Sequence, residues 1–241
     1  MILNIFQIKF LTIIFILITT PVLFSCGNGN LFSSLTTVSQ KDKAQNSIYS
    51  GDYPSAISTL VSYLNNNPSD TQAIGMLGTA YMLSAGYNLL NITVSILTNT
   101  SSAKNNFQAI LSSMPNGSST NITYLTNAVN ILSTISSSQR TANQNYQLAL
   151  AQAGLAILII KAVCLDSAGN ISTSLTNAMS SADSTKVYTN LQNAQTNLAS
   201  AGISSGTSTG SSLLANLFSQ INATAGASND AKVTNFIISQ Q

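Results

Sequence analysis

The 241-residue chain has no histidine, no glutamate and no tryptophan, and only 6% of its residues are charged, against about 25% in an ordinary soluble domain. Without histidine or glutamate, acid–base chemistry falls to six aspartates, Asp42, Asp52, Asp70, Asp166, Asp183 and Asp230. They are scattered singly, and Asp52 and Asp70 stand where helix N-caps are expected. A serine nucleophile has no histidine base; a Ser–Lys arrangement would have to use Lys104, Lys161 or Lys186. Two cysteines and no histidine provide no zinc-type ligand cluster. The glycines of "AGISSGTSTG" have no following lysine to serve a phosphate loop. These absences predict a protein that is not an enzyme and holds no cofactor or metal. The eight basic residues are not clustered, so nucleic acid is not an expected partner. Serine, threonine and asparagine fill the polar positions instead, leaving a surface with little charge to keep it in solution at high concentration.

What is present begins with a greasy N-terminus. Lys9 and the terminal amine supply positive charge, "FLTIIFILIT" supplies an apolar run, and Pro21 ends any helix before Ser25 and Cys26. The stretch from Phe10 to Phe24 is fifteen residues and contains Thr12, Thr19, Thr20 and Pro21, too short for a membrane span of about 20 apolar residues. Residues 1–25 therefore read as an export signal. Leu23-Phe24-Ser25-Cys26 resembles the lipobox of bacterial lipoproteins, although Phe24 is bulkier than that pattern prefers. The resemblance implies cleavage before Cys26, whose thiol is a strong nucleophile for lipid transfer, and stable anchoring by two or three acyl chains. An ordinary cleaved signal is the other reading. Gly27 stands where an aspartate would resemble an inner-membrane retention signal, so the expected place is the outer membrane of the bacterial envelope, facing the periplasm. Residues 26–40 lack periodicity and read as anchor and tether. Cys164, in "ILIIKAVCLD", then stays unpaired and reads as a buried small hydrophobe.

From Asp52 onward the apolar residues recur with a helical period. Ala56, Ile57, Leu60, Val61 and Leu64 make one face, opened by Asp52 and tolerating Pro54 in the first turn. Ile74, Leu77, Tyr81 and Met82 make the next, with a stop at "SAG", Ser84 to Gly86. Further stripes are Phe107 to Met114, closed by "PNG"; Ile122 to Ile135; Val187 to Leu198; Leu214 to Ile221; and Val233 to Ile237. A flexible segment is expected from Ala201 to Ser212. Leu148 to Leu165 is apolar all round but interrupted by Gln152 and Lys161, the pattern of a helix buried by its neighbours rather than of a second span. The fold class is all-α, about eight to ten helices. Six Asn-x-Ser/Thr triplets, beginning at Asn91, Asn99, Asn116, Asn121, Asn170 and Asn222, follow from the Asn/Ser/Thr bias and read as chance.

"GDYPSAISTLVSYLNNNPSDTQAIGMLGTAY", Gly51 to Tyr81, resembles tetratricopeptide repeats. Ala56 matches that family's small residue early in the second helix, and Pro68, twelve residues later, matches its boundary proline. Ile74, Leu77, Gly78 and Tyr81 match the spacing of the following first helix, with Ile74 in place of the usual tryptophan. The resemblance implies that Ala56 and Gly78 allow close helix approach, that Leu60, Leu77 and Tyr81 pack between hairpins, and that Pro68 separates them. It covers Lys41 to Tyr87; thirty-four residues either side, Lys43 and Leu90 break the pattern. The expected architecture for residues 41–241 is thus a tetratricopeptide-like hairpin inside an irregular α-solenoid or helical array. Its expected function is that of a lipid-anchored scaffold or adaptor binding a protein or peptide; the alternative is a transport accessory holding a small ligand in an apolar interhelical pocket.

Overall fold

The computed structural model describes residues 38–87, 106–165, 179–203 and 209–240. Among these, nine helices and no strand are found. They are α1 (Gln40–Tyr49), α2 (Tyr53–Asn66), α3 (Thr71–Ser84), α4 (Asn106–Ser113), α5 (Ser119–Ser133), α6 (Ala142–Cys164), α7 (Ser181–Ser200), α8 (Thr209–Ala223) and α9 (Asn229–Ile238). The all-α expectation holds. The lipobox residues Leu23, Phe24, Ser25 and Cys26 lie outside the described residues, as does the side chain of Leu214.

Most starts are set by capping. Asp52 accepts from the Ser55 N–H and Asp70 from the N–H groups of Gln72 and Ala73, satisfying donors that a helix N-terminus leaves unpaired. Ser118 and Ser180 do the same for α5 and α7. Thr141 and Gln144 form a reciprocal capping box that opens α6 at Ala142, six residues before the expected Leu148. α3 stops where Gly86 takes φ +73°, a left-handed conformation that side chains disfavour. The segment expected to be flexible up to Ser212 already contains the first turn of α8.

Most of the packing runs as one series: α1 on α2, α2 on α3, α3 on α5, α5 on α6, α6 on α7 and α7 on α9. α4 leans on α6, while α8 rests on α7 and α9. In addition α1 touches α3 and α3 touches α6, so these three run as alternate members of the series. A smaller core joins Ala44, Leu60, Leu64, Ala73, Ile74, Leu77 and Ile135. The larger one is built around α6, from Leu148 to Cys164. α6 is long and apolar enough to cross a membrane by length and composition, yet 72% of its most apolar window is buried within the fold. Its two polar interruptions are both partnered: Lys161 donates to the Met114 carbonyl at 2.5 Å, and Gln152 accepts from Asn197 at 2.9 Å. Asn197 in turn accepts from Arg140, the sole arginine.

A polar groove on the first helices

α1, α3 and α6 line one groove of about 620 Å³. α3 has two faces. Ile74, Leu77 and Gly78 turn into the core, and Gln72, Gly75, Met76 and Thr79, at three- and four-residue spacing, line the groove. α1 contributes Gln45, Ile48 and Tyr49; the start of α6 contributes Asn143, Gln144 and Gln147. None of the twelve described lining residues is charged. The nearest ion pair is self-contained: the Lys41 ammonium lies 2.9 Å from Asp70 and also donates to Gln72 at 3.2 Å. Asp70 accepts from the Tyr63 hydroxyl as well, at 2.9 Å. Backbone N–H bonding from Ala73 and the Lys41 ammonium hold its carboxyl down at about 2.

The amides differ in how far they are committed. Gln144 is engaged at both ends of its amide, donating to the Thr71 carbonyl at 2.9 Å and accepting from the Thr141 N–H. Gln45 donates to the Tyr49 hydroxyl, and Tyr49 is 77% exposed. Gln147 donates to Thr79 Oγ1 at a long 3.3 Å, while its Oε1 is buried without a hydrogen-bond partner. A Cβ on Gly75 would stand 3.2 Å from that oxygen. A second hollow, about 380 Å³, lies between α5, α6 and α7. It is lined by Ile122, Val129, Leu155 and Ile159, with the Lys186–Asp183 ion pair (3.3 Å) at its edge.

None of the residues singled out by the repeat pattern lines either hollow, and all but Pro68 pack within the fold. Ala56 and Leu60 are fully buried, and Ile74 and Leu77 join Leu60 in the smaller core. Gly78 faces Leu132 of α5, Tyr81 lies half-buried with its ring centroid 6.3 Å from that of Tyr124, and Pro68 stands exposed in the turn after α2. The groove residues themselves carry no apolar stripe or repeat position that would single them out in the sequence. Ala44, thirty-four residues before Gly78 in the sequence, is fully buried and is the contact that seats α1 on the smaller core. The Thr141-x-x-Gln144 pattern marks the start of α6.

For the Ser–Lys chemistry considered above, Lys161 donates to a backbone carbonyl and Lys186 pairs with Asp183; Lys104 lies outside the described residues. Burial lowers the Lys161 ammonium's affinity for its proton, and it pushes the Cys164 thiol up to about 12. Among the described residues no group of three histidine, cysteine or acidic side chains is placed to hold a metal. No protein-family model matches the chain, and no curated protein or solved structure matches it.

Proposed function

We propose that this chain is a lipid-anchored adaptor of the bacterial envelope, tethered through Cys26 at the periplasmic face of the outer membrane, whose tetratricopeptide-like array receives a polypeptide in the groove of α1, α3 and α6. The observation that carries this reading is the alternation of the helices. α1, α3 and α6 line a single concave wall while α2, α5 and α7 pack behind and between them, the arrangement expected when successive hairpins stack and leave their first helices facing a partner. Placing Ala44 and Gly78 at equivalent small-residue positions of consecutive hairpins fits the same scheme. The wall offers amides and hydroxyls but no reactive constellation, which suits binding better than chemistry.

A photo-activatable residue at Asn143, exposed on the groove rim, tests the adaptor reading in intact cells. The same residue at Asn193, exposed on α7 outside the groove lining, is the control. A discrete polypeptide crosslinked from Asn143 and absent from Asn193 is expected. Equal capture at both positions would refute the groove as the binding surface. The apolar hollow between α5, α6 and α7 favours a second reading, a small-ligand accessory. A stoichiometric small molecule retained through purification, and lost from an Ile159→Asn variant, would support it.

A further inference from the structure

Two local penalties meet at one point on the groove floor. Gly75 sits in the interior of α3, where glycine costs about 1 kcal/mol relative to alanine. Opposite it, the Gln147 Oε1 atom is buried with no donor, a situation that native structures rarely leave unexplained. Turning the amide over does not help: the Thr79 hydroxyl already donates to the Gly75 carbonyl at 3.0 Å, so the oxygen would face it still without a donor. Local rules broken together, without compensation nearby, are the mark of a functional site.

The amide is also loosely held. Its Nε2 bond to Thr79 spans 3.3 Å, beyond the usual 2.7–3.2 Å range. Rotation toward the groove therefore loses little, and it opens Oε1 to a donor on a bound segment. An amide that both donates and accepts, reached over a residue without a side chain, matches the paired N–H and C=O of a peptide backbone. No lining side chain carries a charge, so a charged residue on the partner would be desolvated without a counter-ion.

We propose that the groove takes an uncharged, extended polypeptide segment, and that Gln147 swings from the floor to read its backbone, with Gly75 leaving the room to do so. This rests on the adaptor reading of the same groove, and the experiment separates the two. The probes are two synthetic random decapeptide pools, one of uncharged residues only and one with Asp, Glu, Lys or Arg at alternate positions. Both are offered to the full chain in detergent micelles, with a photocrosslinker at Asn143. Crosslinking should come predominantly from the uncharged pool and change by less than about twofold between roughly 50 and 500 mM salt, since no charge pair is there to be screened. Gln147→Leu should weaken capture about tenfold through the loss of paired hydrogen bonds. Gly75→Ala, which retains the helix and restricts the amide, should weaken capture while leaving the thermal midpoint at or above wild type. N-methylation of the best uncharged peptides should abolish capture, whereas neutral oligosaccharides should not compete. Preference for the charged pool would overturn the ligand class, and unchanged capture by folded Gln147→Leu and Gly75→Ala proteins would overturn the role of Gln147. In either case groove binding itself would stand. Absence of crosslinks from both pools would overturn this inference, and the adaptor reading would fall with it only if the in-cell capture at Asn143 were also absent.

Discussion

Gly78 of α3 and Leu132 of α5 meet at a close approach between the two helices. A Cβ built on Gly78 would stand 2.6, 2.8 and 2.9 Å from Cγ, Cδ2 and Cδ1 of Leu132, all inside van der Waals contact, and Leu132 is itself 0% exposed. Gly78→Ala therefore sets an overpacking cost of about 1–3 kcal/mol against a helix-propensity gain of about 1 kcal/mol. The net expectation is up to about 2 kcal/mol of destabilisation. Leu132→Ala alone should cost about 2–5 kcal/mol by leaving a cavity. In that background the sign reverses: the added methyl meets empty space, only the propensity gain survives, and Gly78→Ala should stabilise by about 1 kcal/mol. Urea unfolding of the Gln40–Gln241 unit, followed by far-ultraviolet circular dichroism, measures all four proteins of the cycle. In a unit of this size about 1 kcal/mol corresponds to roughly 2–4 °C in Tm. Effects that add within about 0.5 kcal/mol would refute the reasoning, because residues in contact should couple and independent ones should not.

The Asp70 carboxyl sits at about 2, below the ordinary 3.8. Its contribution, about 1 kcal/mol after allowance for partial exposure, should be complete above about pH 4 and be lost as the pH falls through 2. Asp70→Asn, which keeps an oxygen for the cap, should flatten that part of the stability profile. Cys164, fully buried with its thiol raised to about 12, should react with maleimide only as fast as the fold opens; prompt labelling of the native protein would contradict its burial. Cys26→Ser should abolish incorporation of a radiolabelled fatty acid, and undiminished label would refute the anchor.

Periodicity made the helices legible wherever one face was apolar. The stripes at Ala56, Ile74, Ile122, Val187 and Val233 all correspond to observed helices. α1 escaped because a single alanine, Ala44, makes its buried contact, and a 3.6-residue period cannot be read from one residue. The early start of α6 escaped because its first turns are Ala-Asn-Gln-Asn-Tyr-Gln, with polar side chains spent on the capping box and on Thr71 and Thr79 rather than on a stripe. The groove was hidden for the same reason: it is assembled from Gln45, Gly75 and Gln147, far apart in sequence and brought together only by stacking. Gly78 was legible through a repeat spacing, but its neighbour Leu132, fifty-four residues on, was not.

The partners of Lys161 and Gln152 have a bearing on biosynthesis. If the chain is exported as proposed, α6 must cross a translocation channel unfolded, and it is the described helix most able to leave that channel sideways into lipid. An ammonium in such a segment raises the cost of insertion, by up to about 3 kcal/mol at a helix centre and less toward its ends. An unpaired amide adds to it. Once the chain has passed, the Met114 carbonyl receives the Lys161 ammonium and Asn197 occupies Gln152. Two side chains that weaken the apolar run in transit thus become ordinary interior contacts at its destination.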